Sequence, residues 1–249
     1  MTADIHQLIA KIIYNLLLNE NYAMTYLARP YCMKNILEIV LKMQVPYSIV
    51  CDIIMLITYI FKQGMEYDFS EFTKKSIQYF VDKQNTRKDN LPTLKKNVET
   101  FRRILLNFIK SRNGIALSSM IDTDLSRCLI DLAETYHDVC YIIEELIYIM
   151  TLFCIEDKAI NFFYENNLLH KVLIWIKDRE NFDRTSLICS FQLMQIIILF
   201  KSYSISTSVK LQFLASIFIA YEREEDLIYK RDLLRILKKL YENQDFEAL

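Results

Sequence analysis

Glycine and proline are scarce in this chain of 249 residues, which contains 2 glycines and 3 prolines. Tight hairpin turns need glycine, asparagine or proline at fixed positions, so this scarcity excludes a sheet of many short strands. The two glycines, Gly64 and Gly114, lie too far apart to form a glycine-rich phosphate-binding loop. The remaining composition, rich in Leu, Ile, Lys and Glu, predicts an all-α protein.

Signals for secretion, membrane insertion and metal binding are also missing. The six cysteines lie in apolar helical segments without a Cys-x-x-Cys pair, so we expect reduced thiols in the core and no metal site. The longest apolar segments, 48–61 and 187–200, have about 14 residues, whereas a bilayer requires about 20. No Asn-x-Ser/Thr sequon occurs, and the N-terminus lacks the basic region of a signal peptide. We therefore expect a cytoplasmic or nuclear protein without membrane insertion.

Catalytic patterns are absent as well. His137 and Cys140 are one helical turn apart, but no second pair completes a four-ligand metal site. No Gly-x-Ser-x-Gly motif or pair of carboxylates with catalytic spacing occurs. The sequence therefore predicts a protein that is not an enzyme and that has no catalytic residues and no cofactor.

The chain does contain polar residues that recur, one at a time, inside apolar helical segments. These residues, which we call the ladder, are Asn15, Thr58, Asn107, Thr151 and Gln195. The intervals between them are 43, 49, 44 and 44 residues, a period typical of helical repeats. A unit of this length buries its apolar face only by stacking on its neighbours, which leaves an extended wall along one side.

A second alignment supports the repeat. When the three segments that start at Ala23, Ala116 and Ala159 are aligned without gaps, residues at the same distance after each alanine are apolar in nearly every case. Each segment predicts a short helix, a break and a second helix, with breaks at 29–30, 122–124 and 166–167. Longer helices are predicted over 5–18, 101–111, 139–153 and 184–200, and a polar insertion at 84–90 explains the interval of 49. We expect the helix over 226–241 to cap the array.

The segment 14–21, followed by Ala23 and the pair Ile36-Leu37, resembles the armadillo repeat, and the segment 156–169 resembles it again. The resemblance implies one domain over residues 1–249, a right-handed α-solenoid of about five armadillo-like repeats. The glycine that usually separates the first two helices is absent, which leaves a HEAT-type solenoid open.

In armadillo proteins the long third helices line a concave groove, where an asparagine holds the backbone of an extended peptide. The resemblance therefore implies partner binding by the ladder, although only Asn15 and Asn107 keep the asparagine. Lys11 and Arg103 lie one turn before these two residues and would add charge selection. Nuclear-import carriers of this family have tryptophan at that position, but the only tryptophan here, Trp175, is predicted in a second helix. We expect a scaffold or adaptor that binds a protein or peptide.

Three alternatives stay open. Residues 74–112 carry a net charge of +8 and residues 122–165 a net charge of −8. The basic residues Lys88, Lys95, Lys96 and Arg102 would form a patch for nucleic acid or an acidic partner. In the second alternative, the chain is a structural subunit of a larger assembly. In the third, the ladder side chains do not bind a partner and instead hydrogen-bond to the backbone of their own or a neighbouring helix.

Overall fold

The structure is a computed structural model that describes residues 2–23, 25, 29–43, 47–62, 91–110, 123–177 and 184–242. Within these ranges all regular secondary structure is helical, which confirms the predicted all-α class. Residue contacts divide the chain into two compact units, Met1–Leu125 and Ser126–Leu249. The expectation of a single domain stays a prediction.

The first unit contains the helices α1 (Thr2–Leu18), α2 (Glu20–Tyr22, a single turn), α3 (Pro30–Lys42), α4 (Tyr47–Lys62) and α5 (Leu91–Lys110). Helix α4 packs against α1, α3 and α5. Its buried residues recur every three or four positions, because that spacing keeps them on one side of a helix. They are Val50, Ile53, Ile54 and Ile57.

Two helix starts in the first unit have clear local causes. Arg29 is extended and Pro30 occupies the first turn of α3, which confirms the break predicted at 29–30. Helix α5 begins at Leu91, well before the start predicted at residue 101. Pro92 does not stop it, because a proline in the first turn removes no intrahelical hydrogen bond. The polar insertion predicted at 84–90 lies outside the described residues.

The second unit contains most of α6 (Thr123–Thr135), followed by α7 (Cys140–Phe153), α8 (Asp157–Glu165), α9 (Leu168–Lys177), α10 (Arg184–Phe200), a 3₁₀ turn (Ser202–Ser204), α11 (Thr207–Arg223) and α12 (Leu227–Tyr241). Helix α10 is central, since it packs against α7, α8, α9, α11 and α12. Its buried residues occur on several sides, as expected for a helix surrounded by others.

Asparagine and serine side chains end and begin helices in this unit. Asn167 adopts the left-handed conformation (φ 57°), and the amide of Asn166 donates to the carbonyl of Phe162 (2.8 Å). This confirms the break predicted at 166–167, since asparagine tolerates positive φ better than most residues. Ser206 and Asp226 accept hydrogen bonds from backbone amides in the first turns of α11 and α12.

Helices α10 and α12 run in the same direction. Arg184, at the start of α10, pairs with Asp226 before α12, at 3.7 Å. The hydroxyls of Thr185 and Tyr229, 44 positions apart, are 3.4 Å from each other. Further along both helices, Gln195 bonds to the backbone of Ile236, 41 positions later. Parallel neighbours at this separation match the period of the ladder.

Candidate partner-binding groove

Three helices of the second unit, α7, α10 and α12, enclose a groove of about 770 Å³. We call it the α7/α10/α12 groove. Its lining comes from the middle and C-terminal parts of the three helices, and consists of Thr151, Gln192, Gln195, Ile196, Asp232, Arg235, Ile236, Lys238 and Lys239, with Glu242 just after α12. Ile196 and Ile236 supply apolar surface, while the rest of the lining is polar or charged. Such a lining suits a peptide, whose backbone needs hydrogen bonds and whose side chains need both kinds of contact.

Two predicted ladder residues, Thr151 and Gln195, lie together in this groove. They are 44 residues apart in sequence, and the packing of α7 on α10 brings them side by side. The structure thus joins two predicted binding residues on one surface of the second unit. Their role in binding stays a prediction.

Both residues also make internal hydrogen bonds. The Thr151 hydroxyl donates to the carbonyl of Ile147, one turn earlier, at 2.8 Å. The Gln195 amide is almost fully buried and donates to the carbonyl of Ile236 on α12 at 2.7 Å. These bonds are of the kind that the structural interpretation of the ladder expects. Thr151 still has hydroxyl lone pairs with which to accept from a ligand.

Lys239 is a groove residue that the sequence analysis missed. It lies 44 residues after Gln195, which is the position of the next ladder residue if the period continues by one repeat. Arg235 lies one turn before it, as Lys11 lies before Asn15 and Arg103 before Asn107. Extending the period into the predicted capping helix would have identified it.

The α7/α10/α12 groove has a surplus of positive charge. Arg235 pairs with Asp232 at 3.0 Å, and Lys238 pairs with Glu242 at 3.5 Å. Lys239 is exposed and makes no ion pair with any residue that the structure describes. One cation of the groove is therefore available to a ligand.

The other predicted binding residues belong to the first unit. Lys11 and Asn15 are exposed, one turn apart on α1, and Arg103 is exposed on α5. Thr58 lies in α4 and Asn107 in α5, but their side chains lie outside what the structure describes.

The predicted basic patch is partly neutralised by acidic neighbours. Lys95 pairs with Glu99 at 3.6 Å along α5. Burial raises the pKa of the Asp52 carboxyl on α4, and the positive charges of Lys96 and Arg103 lower it in part. Arg102 is half-buried, and Lys88 lies outside the described ranges. Nucleic-acid binding by this patch stays a prediction.

The cysteines show the environment of core thiols. Five of them, Cys32, Cys128, Cys140, Cys154 and Cys189, are free and either buried or half-buried. Burial raises the pKa of Cys128 to about 11, with a smaller contribution from Asp131, and raises the pKa of Cys154 to about 12. Among the described residues, no group of three His, Cys, Asp or Glu side chains is placed to hold a metal ion.

Comparison with protein-family models, with curated proteins and with solved structures finds no significant match to this chain. In the portion that the structure describes, no helix combines the length and apolar character needed to cross a membrane.

Proposed function

We propose that this chain is a non-catalytic interaction scaffold, a right-handed α-solenoid of armadillo type that binds an extended segment of a partner protein. The proposed site is the α7/α10/α12 groove. The observation that carries the proposal is that Thr151, Gln195 and Lys239, spaced 44 residues apart, line this one groove.

The order of helix packing supports the repeat. In the first unit α1 packs on α4 and α4 on α5, and in the second unit α7 packs on α10 and α10 on α12. Each of these helices except α12 carries one residue of the predicted ladder, and α12 carries Lys239. Stacking of successive equivalent helices is what a solenoid requires.

The dimensions of the groove suit a short extended segment. Packed helices are separated by about 8–10 Å, so three of them span about 20 Å. An extended chain rises about 3.3 Å per residue, so about six residues would cross the groove. With roughly three residues between one helix and the next, side chains of the segment would pass the three ladder positions in turn.

The charge of the groove determines which partner segments it binds. Because Lys239 is the cation without an ion pair in the described groove, a carboxylate on the partner would gain a charge-assisted hydrogen bond there. We therefore propose an acidic residue at the position of the segment that crosses α12. The paired residues Arg235 and Lys238 would contribute less, because their charges are already compensated.

A library of short random peptides displayed on phage tests the proposal. Selection against the 249-residue chain is expected to enrich peptides with an acidic residue near one end. Hydrogen–deuterium exchange of the chain with a synthetic copy of an enriched peptide is then expected to slow exchange in α7, α10 and α12. Failure to enrich any peptide, or protection confined to other helices, would contradict the proposal.

A further inference from the structure

Positive charge in the α7/α10/α12 groove is concentrated at one end of α12. Arg235, Lys238 and Lys239 all line the groove. Residues 235–242 contain these three bases and one acid, Glu242, which gives a net charge of +2. Residues three or four positions apart are neighbours on a helix surface, so the charge of Arg235 repels the charges of both lysines. An anion bound between these side chains would relieve the repulsion.

Arg235 keeps hydrogen-bond donors for such an anion. Its Nη1 atom donates to the carboxylate of Asp232 at 3.0 Å, whereas its Nε and Nη2 atoms make no hydrogen bond with any residue that the structure describes. The Arg235 side chain is 64% exposed, and an ion pair this exposed contributes little stability. Lys239, without an ion pair to any described residue, lies one turn later on the same side of α12. Arg235 and Lys239 thus present donors side by side.

A phosphate group uses this arrangement more fully than a carboxylate does. A carboxylate carries one charge and two oxygens, which Lys239 alone can bind. A phosphate monoester has three acceptor oxygens and a charge of about −1.5 to −2 at neutral pH, so it can accept from Lys239 and Arg235 together. Arginine also forms paired hydrogen bonds to phosphate, which lysine cannot do. The charge of the phosphate balances the net +2 of residues 235–242.

We propose that the partner segment carries a phosphorylated residue where it crosses α12, and that Arg235 and Lys239 bind its phosphate group together. This inference rests on the proposed function, because it specifies which side chain the same groove prefers. Phosphorylation of the partner would then regulate its binding to this chain. The backbone of a nucleic acid fits less well, because each phosphate diester carries a single negative charge and two unesterified oxygens.

Three synthetic libraries of 13-residue peptides test the inference. They differ only at the seventh position, which is serine, glutamate or phosphoserine, and the other positions are randomised over uncharged residues. The central position lets a segment cross the groove in either direction. The immobilised 249-residue chain is expected to retain the glutamate library better than the serine library. It should retain the phosphoserine library about ten-fold better than the glutamate library, because an added charge-assisted hydrogen bond contributes at least that much.

Arg235→Gln tests the contact itself. The preference for phosphoserine over glutamate is expected to fall below about two-fold in this variant, while retention of the glutamate library changes little. Arg231→Gln is the matched control, because Arg231 also pairs with Asp232, at 3.8 Å, and is exposed, but does not line the groove. This control should keep the ten-fold preference. Circular dichroism confirms that both variants fold.

The pH dependence of retention gives an independent readout. The second pKa of phosphoserine is about 6, so lowering the pH from 7.5 to 5.5 removes much of its second charge. Retention of the phosphoserine library is expected to fall towards that of the glutamate library, since a glutamate side chain stays charged over this range. A preference for phosphoserine that is the same at both pH values would contradict a role for the second charge.

The remaining outcomes separate this inference from the proposed function. Equal retention of the phosphoserine and glutamate libraries would overturn the inference and leave the proposed function intact, whereas equal retention of all three libraries would overturn both. Loss of the preference in Arg231→Gln as well as in Arg235→Gln would show that the overall charge of α12 matters, and not the contact. Displacement of the phosphoserine peptides by an equal concentration of a single-stranded DNA oligonucleotide would assign the site to nucleic acid instead.

Discussion

The side-chain amide of Gln195 donates a hydrogen bond of 2.7 Å to the backbone carbonyl of Ile236, and so joins α10 to α12 across 41 positions of sequence. Gln195 is 4% exposed and Ile236 is 3% exposed, so the bond is shielded from water. It fixes α12 beside α10, in the position that the next helix of a repeat would occupy. Gln195 therefore supports the wall of the groove that it also lines.

Replacing Gln195 with alanine is expected to lower the free energy of unfolding by about 1–2 kcal/mol, through loss of a buried hydrogen bond and of side-chain packing. Gln192→Ala is the matched control, since Gln192 lies on the same helix and lines the same groove but is exposed. Urea unfolding followed by circular dichroism measures both changes. Equal stability of the two variants would show that the Gln195 bond contributes little.

Replacing Thr151 with valine is expected to change the free energy of unfolding by less than about 0.5 kcal/mol. Valine keeps the shape of threonine, and a hydroxyl that bonds to its own helix adds little stability. Binding of a selected peptide is nevertheless expected to weaken several-fold, because the hydroxyl no longer accepts a hydrogen bond. Unchanged affinity in a fluorescence-anisotropy titration would assign Thr151 a purely structural role.

Replacing Asp52 with asparagine is expected to change how stability depends on pH. Burial raises the pKa of Asp52 above 3.8, so the folded state holds this proton more tightly than the unfolded chain does. Its contribution to stability is thus fully present below pH 3.8 and is lost as the pH rises through the raised pKa. The stability of the natural chain relative to Asp52→Asn should therefore increase as the pH falls from neutrality.

Urea unfolding at several pH values measures this difference for Asp52→Asn. Asp138→Asn serves as the control, because Asp138 is exposed. A stability difference between the natural chain and Asp52→Asn that is constant with pH would show that the Asp52 carboxyl is not desolvated.

Alkylation by iodoacetamide at pH 8 is expected to spare Cys128 and Cys154 in the folded chain. Raising the thiol pKa from 9.0 to about 11 and about 12 lowers the thiolate fraction roughly a hundred-fold and a thousand-fold. Burial lowers access further. Peptide mass spectrometry should show earlier labelling of the half-buried Cys32 and Cys140, and similar labelling of all four in urea. Rapid labelling of Cys154 before unfolding would contradict this account.

The sequence predicted the helical class and several helix boundaries, because local signals determine them. Pro30 and Asn167 produced breaks where they were expected. Helix α5 begins earlier than the sequence predicts. Its buried side extends back to Val98 and Leu94, but the polar residues between Leu94 and Phe101 interrupt the apolar pattern in the sequence. Helix ends that depend on packing are less visible in sequence than those that depend on a proline or an asparagine.

The candidate site was only partly predictable. The period identified Thr151 and Gln195, but it was not carried into the charged helix α12, so Lys239 was missed. Sequence spacing also gave no information on where the Gln195 amide would bond, since that depends on the approach of α12 to α10. Sequence spacing also does not reveal which lysine stays unpaired. Lys238 and Lys239 are adjacent in sequence, and Glu242 lies about one helical turn after both of them.

The most direct test of the account is a charge swap at Lys239, measured as the affinity of an enriched acidic peptide. Lys239→Glu is expected to weaken binding at least ten-fold, while Lys158→Glu, an equal charge change on α8 outside the groove, leaves it unchanged. A peptide whose acidic residue is replaced by lysine should regain affinity for Lys239→Glu. Equal affinity of the natural chain and Lys239→Glu for the acidic peptide would contradict the α7/α10/α12 groove as the binding site.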